Sequence, residues 1–197
     1  MAALSWHSHF LQLARYNVWA TRRLLDAVAG VSEDHYRKDT GLFFKSIHGT
    51  LNHLLVGEHM LWYPRFAKGG STLATAGPPQ GRQHPLGGPG EARVGGHVVA
   101  LNAEVEPDRD RLGQALKGGA ANWLPLIESW SAERFDGELT YTNMRGEAMR
   151  LPFAATLAHV FNHGTHHRGQ ITAALTALGH AAPELDLVYL LQEEARA

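Results

Sequence analysis

Residues 152–178 carry the longest unbroken helical pattern in the chain and its densest run of histidine. Pro152 suits a first helical turn, where its missing N–H costs nothing, and Gly179 supplies a stop. Within this stretch His159, His163 and His167 recur at i, i+4 and i+8. On a helix that spacing keeps three imidazoles on one stripe, drifting by about 40° per step. His166 is rotated about 100° from His167 and does not share the stripe. Two imidazoles at i and i+4 can hold one metal ion, and a further ligand must then come from another element. Spacing leaves two pairs open, His159 with His163 and His163 with His167.

Three more stretches have helical periodicity. From Ser5 to Ala29, residues Phe10, Leu13, Asn17, Ala20, Leu24 and Val28 mark one buried face, interrupted only by Asn17. Gly30 ends it, and Ser32-Glu33-Asp34 reads as the cap and acidic first turn of a short helix. Ser46 caps a second long helix, from Ile47 to about Phe66, with a stripe of Ile47, Leu51, Leu54, Leu55, Glu58, Leu61 and Trp62. Pro64 predicts an end or kink near Tyr63. A third helix is expected over about Val98–Trp130, broken near Gly118-Gly119. Between the second and third, residues 67–96 are rich in Gly and Pro and read as a long loop; the whole of 67–119 is atypical for a bundle. Leu139–Thr142 and Glu147–Leu151 flank Asn143-Met144-Arg145-Gly146 as a hairpin, and Leu185–Leu191 is a short apolar tail that packs back on the bundle. Four long helices and one hairpin give an all-α, four-helix bundle in a single domain, 1–197.

Composition removes several functions. The chain has no cysteine, which excludes disulfides, thiolate metal sites and a cysteine nucleophile. Its formal net charge of -1 offers no basic face for nucleic acid or anionic lipid. No apolar run approaches the ~18 residues of a membrane span, and the N-terminus does not read as a signal peptide. A cytoplasmic protein is expected.

The second helix holds the strongest candidate for the further ligand. His53 stands amid the apolar residues Leu51, Leu54 and Leu55. His48 and His59 are alternatives, offset from it by about 140° and 120° around the helix. His7, His9, His35, His84, His97 and His180 fall near termini, turns or the glycine-rich stretch and read as solvated.

Two segments resemble the DinB/YfiT-like metalloenzymes: Asn162-His163-Gly164-Thr165-His166-His167-Arg168-Gly169-Gln170 and Ser46-Ile47-His48-Gly49-Thr50-Leu51-Asn52-His53-Leu54-Leu55. Tyr16–Ala20 and Leu139–Asn143 match lesser features of that family in order and spacing. The resemblance covers about residues 8–66 and 120–192. It implies an up-down-down-up bundle and a divalent ion, nickel or zinc, held by His53, His163 and His167. It also implies a homodimer. His159 then becomes a pocket residue one turn away, and Asn17, Asn52, Asn162, Gln170 and Glu58 become candidates to orient the imidazoles. Arg168 is expected to pair with an acidic residue on a neighbouring helix, and Gly169 to permit close helix approach.

Three neutral imidazoles leave the ion its full charge and open positions, which is the pattern of a catalytic site. Relatives of this fold include enzymes that transfer a low-molecular-weight thiol to small electrophiles, so a thiol-dependent S-transferase acting on a small molecule is the expected activity. The alternatives are a metal-dependent hydrolase using a metal-bound water and a non-catalytic, stress-related metal-binding protein.

Overall fold

A computed structural model describes residues 5–68, 71–72, 91–94, 97–143 and 147–197. Helix α1 (Trp6–Ala29) opens with Ser5, whose hydroxyl accepts from the Ser8 amide while Ser8 reaches back, a reciprocal cap. The short helix α2 (Glu33–Arg37) is capped by Ser32. Helix α3 (Ile47–Leu54), capped by Ser46, runs without a break into a π-helical stretch (Leu55–Trp62) and then α4 (Tyr63–Lys68). Helix α5 (Arg109–Glu128) is followed by a 3₁₀ turn (Ala132–Asp136), and α6 (Phe153–Ala177) by the short α7 (Leu187–Glu194).

Two small sheets complete the chain. Strands β4 (Glu138–Thr142) and β5 (Ala148–Pro152) form the expected antiparallel hairpin, with β1 (Ser71–Thr72) added along β4. Strands β2 (Glu91–Val94) and β3 (His97–Ala100) pair separately. The rest of the Gly/Pro-rich stretch and the turn Met144-Arg145-Gly146 lie outside the described residues.

Side-chain pairs fix the direction of each helix. Phe10 meets Phe161 and Asn17 meets Arg168, so α1 and α6 run parallel. Gly57 lies against His163 and Phe66 against Phe153, so residues 47–68 run antiparallel to α6. Gly119 lies against His59 and Trp123 against Phe66, so α5 runs parallel to residues 47–68. The result is an all-α, up-down-down-up bundle.

The interior has three levels. One end is aromatic, with Phe10, Phe66, Trp123, Phe153 and Phe161. The other is aliphatic, with Leu24, Leu51, Leu54, Leu112, Leu116 and Leu175. Between them lies a buried polar level of Asn17, Glu58, His59 and Arg168.

Three expectations change. The third helix starts at Arg109 rather than near Val98, because Asp108 caps it by accepting from the Arg111 amide. It is not broken at Gly118-Gly119; His59 occupies the space a side chain would need at Gly119. Of the end or kink expected at Pro64, the end does not occur: the winding changes at Tyr63 and the helix continues. The Tyr63 amide bonds the Glu58 carbonyl, five residues back, and this wider turn takes the proline into the first turn of α4.

The two adjacent glycines should respond with opposite signs. A Cβ at Gly118 meets nothing within 4 Å, so Gly118→Ala should stabilise the protein by up to ~1 kcal/mol. A Cβ at Gly119 collides with the His59 ring, so Gly119→Ala should destabilise it by ~1–3 kcal/mol. Urea unfolding of both variants checks this.

Candidate metal centre

Three histidines converge on the seam between α3 and α6. His53 Nε2 is 3.0 Å from His163 Nε2, and His167 Nε2 is 3.1 Å from the same atom. Among the described residues this is the one group of three metal-ligand side chains, with its ligand atoms all within 4.8 Å of one another. His163 and His167 come from one helical face at i and i+4, and His53 from the antiparallel partner. The approach is close because residue 57 is glycine: a Cβ there would lie 3.1 Å from His163 Cε1.

The outer ring nitrogens settle which inner nitrogens carry lone pairs. His53 Nδ1 donates to the Leu101 carbonyl at 2.9 Å, and His167 Nδ1 to Gln170 Oε1 at 2.7 Å. Both acceptors are oxygens, so Nε2 of each ring is the unprotonated nitrogen. Two lone pairs therefore face His163 Nε2, which carries at most one proton. That donor set suits a divalent cation. Burial and the neighbouring rings push His163 down to about 3 and His167 to about 4. Burial also lowers His53. All three are neutral at physiological pH, as ligands must be.

The chain around Phe44 supports His53 from the other side. Phe44 stacks on the His53 ring at 3.7 Å and 15°, and meets His167 edge-on at 5.5 Å. It is placed by a tight turn with Gly41 and Lys45 at positive φ, 77° and 67°. Lys45 is the one non-glycine residue with such a backbone among those described, and a conformation of this kind costs of order 1 kcal/mol. Neither Phe44 nor the Leu101 carbonyl carries a sequence signal, since the first looks like any core aromatic and the second is backbone.

The remaining sequence candidates divide. Gln170 orients His167 as anticipated. Asn52 instead grips the 101–108 loop, accepting from the Glu106 amide at 2.9 Å and donating to its carbonyl at 3.1 Å. It thereby secures the segment that presents the Leu101 carbonyl. His48 is buried beside Asn52 and faces Glu104, and His59 belongs to the polar level; neither joins the cluster. His159 stands 5.9 Å from His163, edge-on to Trp62 at 5.4 Å. Asn162 is exposed. His7 meets the Ile127 carbonyl, and His35 meets His180, so these three are partly engaged rather than solvated. His9 is exposed; His84 and the side chain of His97 lie outside the described residues.

The DinB family model matches residues 5–196. This chain belongs to the DinB family. It is also similar to a protein named Protein DinB from Bacillus subtilis (strain 168), at 26% identity over 180 residues, 89% of each chain. No solved structure matched the chain. Within this DinB-type bundle no helix among the described residues is long and apolar enough to cross a membrane.

One turn inside the cluster, the polar level is a linked network. Arg168 donates to Asn17 Oδ1 at 2.6 Å, and Asn17 Nδ2 to Glu58 Oε2 at 3.4 Å. The expected acidic partner of Arg168 is thus Glu58, reached through Asn17. Gly164, not Gly169, permits the close approach: a Cβ at 164 would strike the Glu58 carboxyl, whereas Gly169 has open space. Burial raises Glu58 from 4.5 to about 7, opposed by Arg168 and the Asn17 hydrogen bond. The folded protein therefore holds this proton to higher pH than the unfolded chain does. Its stabilising contribution is complete below pH 4.5 and is lost as the pH rises through about 7. Glu58→Gln removes that loss. Its stability relative to the parent should rise by up to about 3 kcal/mol between pH 4.5 and pH 8, as read by urea unfolding at each pH. A constant difference would contradict the buried-acid assignment.

Proposed function

We propose that this DinB-family chain is a divalent-metal-dependent enzyme, with His53, His163 and His167 as ligands and nickel or zinc as the ion. One observation carries the reading: three imidazole nitrogens from two facing helices converge within 4.8 Å, two of them with their tautomers set by oxygen acceptors. No carboxylate joins them among the described residues. Three neutral ligands leave an ion its charge and open positions, as catalytic sites do. Bound there, it would supply Lewis acidity, lowering the pKa of a thiol or water and polarising a carbonyl.

The protein's own groups do the positioning. The Leu101 carbonyl and Gln170 hold two rings in the ligating tautomer. Phe44 covers one face of His53 and keeps water from it. Gly57 gives His163 its room. The favoured chemistry is transfer of a low-molecular-weight thiol to a small electrophile. The chain has no cysteine of its own, so the nucleophile is external. A thiol acidified at the ion needs no protein base. Hydrolysis by a water acidified at the ion is the second reading; the buried carboxyl of the polar level, Glu58, is tied to Asn17 and offers it no base. The same reading has the protein acting as a homodimer in the cytoplasm.

Elemental analysis of protein purified without a histidine tag should find about one divalent ion per chain. His53→Ala and His167→Ala should lose it and His159→Ala should keep it; the reverse pattern sinks the ligand assignment. Incubation with a panel of small thiols and electrophiles should then give metal-dependent thiol loss. Chelator-sensitive cleavage of activated esters without thiol loss would favour the hydrolase. Neither activity, together with a metal-raised unfolding temperature, would leave a structural ion.

A further inference from the structure

Arg65 is a half-buried cation with no oxygen to bind among the described residues. It stands in the last turn of α4, its guanidinium carbon 4.8 Å from the Trp62 ring centre and 4.5 Å from that of Tyr141. The two rings meet edge to face at 5.5 Å. A ring face attracts the charge but offers no lone pair, so among the described residues no protein oxygen accepts from its N–H donors. Several arginines of the bundle have protein partners: Arg23, Arg37 and Arg109 each reach a glutamate, and Arg168 holds Asn17. Burial lowers the Arg65 pKa, opposed by Tyr141. A partly desolvated charge without a counter-charge is costly, and an arriving anion relieves that cost.

The placement of Arg65 links it to the histidine cluster. Trp62 also meets His159 at 5.4 Å, and His159 meets His163 at 5.9 Å. Three steps, none longer than 6 Å, therefore lead from the cluster along a strip of rings to the guanidinium. Arg65, Trp62, Tyr141 and His159 are all at least partly open to solvent.

We propose that Arg65, with Trp62, Tyr141 and His159, is the recognition half of the site, and that it takes a small organic carboxylate with a flat, unsaturated body. The carboxylate pairs with the edge of the Arg65 guanidinium, and the body lies along the rings, extending toward His53, His163 and His167. Only that last clause rests on the metal-site reading. The geometry of a guanidinium edge matches the two oxygens of a carboxylate, and partial burial strengthens the pairing. The rings hold a flat body by stacking and edge contacts. A neutral ligand of the same shape gains the ring contacts alone.

Calorimetric titration of the full-length protein tests this, with benzoate and cinnamate as probes and the corresponding primary amides as neutral controls. Each is titrated into chelator-treated and zinc-loaded protein. The metal-free protein should bind the acids roughly tenfold more tightly than the amides. Arg65→Gln should abolish that preference and Arg65→Lys should keep part of it, both with the parent's unfolding midpoint. Equal affinity for acid and amide, no binding of either acid, or a preference that survives Arg65→Gln would each overturn the proposal. An acid preference that appears only with zinc and is lost in His53→Ala but not in Arg65→Gln would also overturn it, while supporting the metal site. An acid preference in protein that binds no zinc would uphold the role of Arg65 and remove the metal reading.

Discussion

A buried chain of hydrogen bonds, Arg168 to Asn17 to Glu58, fixes how the helices of this bundle stand against one another. An apolar core tolerates small slips along a helix axis, because one aliphatic contact can replace another. A buried guanidinium, amide and carboxyl cannot slip past one another without breaking the hydrogen bonds between them, at a cost of ~1–3 kcal/mol or more for each polar group left unpaired. The network joins α1, the π-helical stretch and α6, and it separates an aromatic core from an aliphatic one. Its neighbours Gly57 and Gly164 then set how closely residues 47–68 approach α6. That register carries His53 to within 3.0 Å of His163.

The π-helical stretch belongs to the same arrangement. Its wider turn lies between His53, which faces the cluster, and Trp62 and Arg65, which face the strip of rings. It also brings Pro64 into the first turn of α4, where its missing N–H is tolerated. One departure from α-helical winding therefore serves continuity of the helix and the direction of side chains on both sides of it. The 101–108 segment closes the other side. Asn52 binds the backbone of Glu106 in both directions, and the Leu101 carbonyl one turn away holds the His53 tautomer. A residue next to the candidate ligand thus acts on it through a loop rather than by touching it.

Much of the fold was legible because periodicity and end signals are local. Ser32 and Ser46 cap the helices they precede, and the apolar stripes of α1 and α3 are buried as the spacing requires. The misreadings share a cause. Gly118-Gly119 and Pro64 break helices by propensity, yet here a neighbouring ring fills the space beside one glycine and an altered winding accepts the proline. Propensity is weighed against the chain alone, and tertiary packing outvoted it.

The sequence by itself determined that the chain is a helical bundle with two imidazoles at i and i+4 and a third on another helix, because those facts follow from spacing along one strand of peptide. The family resemblance singled out His53, His163 and His167 from several candidate histidines. Only the tertiary structure decided that these three share a point in space, that Leu101 and Gln170 set two of their tautomers, that Phe44 backs His53, and that Arg65 stands between two rings. Each of these is a contact between segments far apart in sequence, and no local pattern encodes which distant oxygen or ring a side chain will meet.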